Sequence, residues 1–152
     1  MFPVWLAVLF GALIMGYAAM DVPKKERQVS ELAADVAATN FIAYRKAVLR
    51  YLEANPTATG TISDASLAAY WMPGYIRDPL WSNVVAGGIP YVYASSQPAH
   101  GTLESLYRKS SENLLLGRKS AATQYLDSYK GGTVTQVLPA AISNGAIVMM
   151  GY

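Results

Sequence analysis

Side chains able to perform catalysis are sparse in this chain of 152 residues. The only histidine, His100, lies in the turn-forming stretch 97–101, and no thiol or carboxylate is adjacent to it in sequence. A lone imidazole in such a turn is typical of a surface histidine. Serines are abundant, but none lies in a Gly-x-Ser-x-Gly or Ser-x-x-Lys pattern. If the protein were an enzyme, its activity would therefore depend on His100 without a recognisable catalytic partner. The hypothesis of an enzyme ranks behind the non-enzymatic ones.

Metal and nucleotide sites also lack the residues they would need. The chain has no cysteine, which excludes a thiolate zinc site and a disulfide framework. Carboxylates are spread singly, without Asp-x-Asp-x or His-x-x-x-His spacing. Gly87-Gly88 and Gly131-Gly132 do not form a phosphate-binding pattern and predict hairpin turns instead. The sequence predicts no catalytic, cofactor-binding or metal-binding residues, no cofactor and no enzymatic activity.

The charge distribution gives no reason to expect a nucleic-acid partner. The formal net charge is only +2. The basic residues come in pairs scattered along the chain, as in Arg45-Lys46 and Arg118-Lys119, and do not cluster with aromatic residues on one element.

Aromatic residues are the main surplus, with eleven tyrosines and three tryptophans. Trp71, Tyr75 and Trp81 lie close together in a segment rich in proline, followed by Tyr91 and Tyr93. A tyrosine or tryptophan combines a large apolar area with one hydrogen-bonding group, which suits both half-buried core positions and protein interfaces. Most of this group is expected in the core. The alternative is a partner-binding patch, with Trp71, Tyr75 and Trp81 as its candidates.

The first element that must position these residues is an apolar run without a charged side chain, Phe2–Met20, which ends at Asp21. As a helix it spans roughly 28 Å, the hydrocarbon thickness of a bilayer. The sequence predicts a transmembrane anchor over 1–21, with basic residues at 24, 25 and 27 near the lipid headgroups. No basic side chain precedes the run, which favours an uncleaved anchor over a secretory signal, although Gly16-Tyr17-Ala18 resembles a cleavage site.

A long amphipathic helix is predicted for the membrane-proximal segment 22–54. Its apolar stripe has spacings of three and four and consists of Ala34, Ala37, Phe41, Tyr44, Val48 and Tyr51. The simpler interpretation is that this stripe covers a sheet. The other is that the alanine-rich half projects beyond the domain as a lateral contact, so that Ala34, Ala37 and Phe41 bind a partner or a second copy of the chain.

The remaining segment, 55–152, is predicted to be an α+β domain that packs with the long helix. Ser63 or Asp64 caps a short helix through Tyr70, and a further helix opens at Thr102. A hairpin is predicted from strands 81–85 and 89–94, the second starting late or lying at an edge because of its proline. Further strands are expected at 114–116, 133–138 and 146–150. The predicted fold is an N-terminal transmembrane helix running into a long helix on a small, mostly antiparallel sheet with one further helix.

The order of these landmarks resembles a known family. After the apolar helix come Asn40-Phe41-Ile42-Ala43-Tyr44-Arg45, then Trp81-Ser82-Asn83, then Leu114-Leu115-Leu116-Gly117, and finally Asn144-Gly145-Ala146-Ile147-Val148. Together they resemble the PilM family of plasmid- and island-encoded type IVb (thin) pilus systems, which include conjugation pili. The resemblance runs over nearly the whole chain, and the family defines no catalytic residues that could be carried over.

The resemblance implies a non-enzymatic inner-membrane component of the pilus assembly machinery, either a basal-body part or a scaffold for pilin transport. Other pilus assembly proteins are then its partners, and the soluble domain is expected in the periplasm. The basic residues that follow the apolar run depart from this, because the positive-inside rule would leave the domain in the cytoplasm. The alternative is an exported pilus-associated adhesin or cell-wall-binding module released from a cleaved signal.

Overall fold

The computed structural model describes the backbone of residues 2–151 and, within the first helix, the side chains at 5, 8–10, 12 and 26 onward. Three α-helices, a 3₁₀ turn and six strands follow one another as α1 (Phe2–Ala54), α2 (Asp64–Leu67), the 3₁₀ turn (Ala68–Tyr70), β1 (Trp81–Ala86), β2 (Ile89–Ala94), α3 (Thr102–Lys109), β3 (Leu116–Lys119), β4 (Leu126–Ser128), β5 (Thr133–Val134) and β6 (Ile147–Met150).

Helix α1 is continuous over its 53 residues, or roughly 80 Å. The predicted anchor and the membrane-proximal helix are therefore one element. Most side chains of the anchor segment, 1–21, lie outside the described residues. Within the described part of the chain, no helix has a window apolar and long enough to cross a bilayer.

The strands form one antiparallel sheet in the order β1-β2-β6-β3-β4-β5. The α+β fold with an antiparallel sheet and a long helix is confirmed. The hairpin β1–β2 turns at Gly87 and Gly88, whose φ angles of 59° and 77° suit a two-residue turn that needs positive φ at both positions. Ser63 is the cap of α2, because its side-chain oxygen accepts from the backbone N–H of Ser66 at 3.2 Å.

The prediction from Pro90 that β2 starts late or lies at an edge is wrong. Strand β2 begins at Ile89 and pairs with both β1 and β6. Val85, opposite Pro90, exchanges both of its backbone hydrogen bonds with Gly60, so the nitrogen of Pro90 points away from β1. On that other side β6 has ended, and Gly151 N donates to the Pro90 carbonyl at 3.0 Å. No donor is needed from Pro90, which is why a central strand tolerates it.

The strands that follow α3 also differ from the prediction. The strand expected at 114–116 begins only at Leu116, because Asn113 closes a turn by accepting the backbone N–H of Leu115 at 2.8 Å. The strand expected at 133–138 ends at Val134, and 135–146 crosses the sheet face instead. Strand β4 was not predicted, since Leu126-Asp127-Ser128 contains a single apolar residue.

The core has one layer on each face of the sheet. The first lies under α1 and contains Phe41, Tyr44, Val48 and Leu52 against Trp81 and further residues of β1, β2, β3 and β6. On the opposite face, Leu138 and Ile142 of the 135–146 segment lie in a cluster with Tyr91, Val148 and their neighbours. The predicted stripe of α1 therefore covers the sheet from Phe41 onward.

The expectation that the alanine-rich half of α1 projects beyond the domain is wrong. Helix α3 packs along this half, so that Ala34, Ala37 and Ala38 are buried within the chain. A Cβ placed on Gly101 would lie 3.6 Å from the Cβ of Ala34, which shows how closely the two segments approach. Asp35 Oδ1 accepts from Ser105 Oγ at 3.0 Å and contacts Lys109 Nζ, also at 3.0 Å.

Candidate functional site

An exposed apolar groove lies between α1 and the loop 72–76. Asn40 fixes the loop to the helix, because its Oδ1 accepts from the Tyr75 hydroxyl at 2.9 Å and its Nδ2 donates to the Ile76 carbonyl at 3.0 Å. Within the loop, Tyr75 N donates to the Met72 carbonyl at 3.0 Å, and Gly74 supplies a φ of +77°. The loop is therefore held in a defined shape.

This groove, called the α1-loop groove below, has a volume of about 510 Å³. Two large aliphatic side chains are exposed on it, Val36 at 68% and Ile76 at 81% of their surface. An exposed apolar surface with a few polar groups is typical of protein-binding sites. Its lining residues are Asp35, Val36, Thr39, Asn40, Ala43, Met72, Pro73, Gly74, Tyr75 and Ile76.

An aromatic cluster supports the groove from the side of the core. The ring of Trp71 stacks on that of Tyr75 with centroids 4.8 Å apart, and it lies 5.7 Å from the ring of Tyr44. The Arg77 guanidinium lies 5.5 Å from the Tyr44 ring centroid, and its Nε is 2.8 Å from Asp64 Oδ2. Because several rings and an ion pair converge on the loop, a partner would bind a preformed surface.

The phenols of this cluster stay neutral at physiological pH. Burial raises the pKa of Tyr75 to about 12, and burial also raises the pKa of Tyr44. Neither hydroxyl is therefore suited to act as a general base. Both act as neutral hydrogen-bonding groups, Tyr75 toward Asn40 and Tyr44 toward Asn83.

The structure separates the predicted site residues into two groups. Tyr75 lines the α1-loop groove, and Trp71 is half-buried directly behind it. Trp81 and Phe41 are fully buried and pack edge to face, with ring centroids 4.9 Å apart. Ala34 and Ala37 are buried, as described above, so these four residues are used in packing within the chain.

Sequence reasoning missed Val36, Asn40 and Ile76. Val36 lies on the side of α1 away from the sheet, where it forms a second stripe with Val29 and Leu32 at the same spacings of three and four. That spacing was visible in the sequence. Asn40 and Ile76 gave no comparable signal, because their contact joins positions 36 residues apart.

No metal centre emerges from the described part of the chain, where no three His, Asp or Glu side chains lie close enough to hold an ion. His100 is exposed in the turn before α3.

The fold and its groove define an α+β protein in which a long N-terminal helix carries a small antiparallel-sheet domain with an exposed apolar groove. The family model of PilM matches residues 9–150. The chain therefore belongs to the PilM family, which confirms the resemblance seen in its sequence and makes it a pilus-related protein.

Two solved structures are similar to the chain. A PilM protein from Escherichia coli B7A is 26% identical, with a TM-score of 0.61 over 82% of this chain and 94% of its own. A PilM protein from Pseudomonas aeruginosa 2192 is 24% identical and covers 78% of this chain and 95% of its own, with a TM-score of 0.41. No curated protein matches the chain.

Proposed function

We propose that this protein is a non-enzymatic inner-membrane component of a type IVb pilus assembly machinery, in which its domain binds another assembly protein through the α1-loop groove. The observation that carries the proposal is the exposure of Val36 and Ile76 on a preformed surface in a member of a pilus-related family. Contiguous exposed apolar surface is a common feature of protein-binding sites, and both side chains line the same groove.

The apolar run 2–20 supports a role at the membrane. As a helix, the run is about as long as the hydrocarbon layer of a bilayer is thick. Helix α1 continues from it without a break into the domain. Val36 follows Met20 by sixteen residues, so a rigid helix would hold the groove roughly 24 Å above the end of the run. Such a helix would present the domain to other membrane-bound subunits.

The periplasmic location of the domain is part of the proposal and has a direct test. Because the chain has no cysteine, Thr59→Cys places a single thiol in the exposed turn after α1. Labelling of intact spheroplasts by a membrane-impermeant maleimide supports a periplasmic domain. Labelling only after lysis puts the domain in the cytoplasm and contradicts this part of the proposal.

The binding role is tested by charging the groove. In Val36→Asp and Ile76→Asp the protein should accumulate and melt as the wild type does, because both side chains are already exposed, while pilus assembly falls at least tenfold. Val137→Asp is the matched control, since Val137 is a similarly exposed aliphatic side chain away from the groove. Normal piliation in both groove variants would contradict the proposal.

A further inference from the structure

A β-bulge precedes β6, where Gly145 and Ala146 together face the single residue Lys119 of β3. Lys119 N donates to the Ala146 carbonyl at 3.1 Å, and Gly145 N donates to the Lys119 carbonyl at 2.8 Å. Gly145 has a φ of +77°, so this is the type of bulge that begins with a glycine in the left-handed conformation. A bulge bends its own strand and disrupts the local pairing. The chain before β6 therefore bends away from the regular sheet.

A cleft lies beside this bend, between the end of β2 and the start of β6. The two strands pair over Tyr91–Tyr93 and Val148–Met150. Further along, Ser95 is held toward β1, because its backbone N–H donates to the Leu80 carbonyl at 2.8 Å. The cleft has a volume of about 310 Å³ and is called the β2–β6 cleft below. Its polar lining residues are Ser95, Ser96, Gln97, Arg118, Ser143 and Asn144.

Arg118 is the only charged side chain among the described residues that line this cleft. In the β3–β4 ladder it lies opposite Asp127, a position where side chains of opposite charge attract each other. Instead of an ion pair, Arg118 Nη1 donates to the Gly145 carbonyl at 2.8 Å, and Asp127 Oδ1 accepts from Thr133 Oγ1 at 3.2 Å. The bulge therefore holds the guanidinium at the cleft and away from the neighbouring carboxylate.

The guanidinium of Arg118 keeps donors for a ligand. It carries several N–H groups in a planar fork, and the Gly145 carbonyl accepts from one nitrogen. A carboxylate has one negative charge and two coplanar oxygens, which match a single guanidinium fork in charge and in shape. A phosphate monoester carries about −1.5 to −2 charges at neutral pH, more than one arginine neutralises. The single positive charge of the lining thus favours a carboxylate.

We propose that the β2–β6 cleft binds a carboxylate of a peptide and that Arg118 holds this group. The carboxylate belongs either to the end of a chain or to an aspartate or glutamate side chain, since both present the same two oxygens. Ser96 and Asn144 line the same cleft and offer a hydroxyl and an amide to the adjacent peptide group. Ligand sites have volumes of about 300–1,000 Å³, so this small cleft suits a short segment. The site shares no lining residue with the α1-loop groove, and its test does not depend on pilus assembly.

NMR titration of the detergent-solubilised full chain tests the proposal with three short peptides at millimolar concentration. The first is acetyl-Ala-Ala-Ala with a free carboxyl end, the second is its carboxy-terminal amide, and the third is acetyl-Ala-Glu-Ala amide. We expect saturable shifts of the backbone amides at 95–97 and 143–146 with the first or third peptide and none with the second. Which of the two binds identifies a chain end or a side chain as the source. Saturation by the neutral amide, or by none of the three, would overturn the proposal.

Substitutions of Arg118 test the assigned contact. Arg118→Gln should weaken binding of the carboxylate peptide by about tenfold or more, because hydrogen bonds to a charged group are lost. Arg118→Lys keeps the charge without the fork, so its affinity should lie between those of Arg118→Gln and the wild type. Both variants should melt as the wild type does, since the side chain is exposed. Arg50→Gln, at an exposed position of α1, is the matched control. Equal affinities of Arg118→Gln and Arg50→Gln would contradict the role of Arg118.

Filling the cleft separates a shaped site from a mere surface charge. Ser96→Leu adds an aliphatic side chain at an exposed position of the cleft wall and leaves Arg118 in place, so the peptide should bind as weakly as in Arg118→Gln. Thr57→Leu, at an exposed position in the turn after α1, is the control and should bind normally. Unchanged binding in Ser96→Leu would place the peptide outside the cleft and overturn the proposal. Tighter binding of inorganic phosphate than of acetate, followed by the same shifts, would also overturn it.

Discussion

The side chain of Asn83 pairs with the backbone of Ile62 as a neighbouring strand would. Ile62 N donates to Asn83 Oδ1 at 2.9 Å, and Asn83 Nδ2 donates to the Ile62 carbonyl at 2.9 Å. The second Nδ2 hydrogen is donated to the Tyr44 hydroxyl at 2.7 Å. Since Asn83 is only 1% exposed, one carboxamide joins the sheet, the segment before α2 and helix α1 inside the core.

Replacing Asn83 by alanine should destabilise the domain by about 2–4 kcal/mol, because it leaves the Ile62 peptide groups and the Tyr44 hydroxyl buried without a partner. Urea unfolding measures this loss. Asn83→Asp should be comparably destabilised, since a carboxylate cannot donate to Ile62 or Tyr44. Asn144→Ala is the control, because Asn144 is exposed in the loop before β6. A loss below about 1 kcal/mol in Asn83→Ala would show that the three bonds contribute little.

The long helix and the hairpin were predictable because local patterns specify them. The stripe from Ala34 to Tyr51 repeats at helical spacing, and Gly87-Gly88 marks a tight turn between β-branched runs. The sequence left two interpretations of the alanine-rich half open, since small side chains allow close approach of either an internal or an external helix. Periodicity alone does not tell which of the two is present, and here the internal helix α3 lies there.

The candidate site was only half predictable. Trp71 and Tyr75 stood out by residue type. The groove, however, depends on Asn40, which is 35 residues from Tyr75 and 36 residues from Ile76 in the sequence. Such long-range polar contacts leave no periodic signal in one sequence. The same holds for Asn83, which is visible in the sequence only as part of a Trp-Ser-Asn landmark.

Gly117 allows β3 and β4 to approach each other closely. A Cβ at this position would overlap the backbone carbonyl oxygen of Asp127, and a backbone atom cannot move aside without separating the strands. We expect Gly117→Ala to cost roughly 2–4 kcal/mol in unfolding free energy, measured by urea denaturation.

Gly131→Ala is the matched control for Gly117→Ala. Gly131 has a φ of 98° and open space around the added methyl group, so only conformational strain of about 1–2 kcal/mol is expected there. If Gly131→Ala proved the more destabilising of the two, the close approach at Gly117 would not limit the sheet.

Lys119 of β3 binds the 135–146 segment to the sheet through hydrogen bonds. Its buried ammonium donates to the Ile142 carbonyl at 2.8 Å and to the Pro139 carbonyl at 3.2 Å. Lys119→Met keeps the aliphatic stem but removes these donors, so amide hydrogen exchange should accelerate at least tenfold in 138–146 while the β1–β2 hairpin keeps its protection. Lys46→Met, at an exposed position of α1, should change neither. Unchanged exchange in 138–146 of the Lys119 variant would contradict this assignment.

Tyr75 should make the stability of the domain depend on alkaline pH. Burial raises the pKa of its hydroxyl from 10.0 to about 12, so between these values the unfolded chain releases a proton that the folded chain keeps. The stabilising contribution of the neutral Tyr75 hydroxyl is therefore fully present below pH 10 and is lost as the pH rises toward 12.

The variant Tyr75→Phe tests this dependence, because it removes the ionisation and keeps the ring that stacks on Trp71. Comparison of urea unfolding at about pH 9 and about pH 11 should show a smaller loss of stability in Tyr75→Phe than in the wild type. Equal losses in the two proteins would mean that Tyr75 titrates like an exposed tyrosine, and that the loop over the groove is less tightly packed than its contacts with Asn40 and Trp71 indicate.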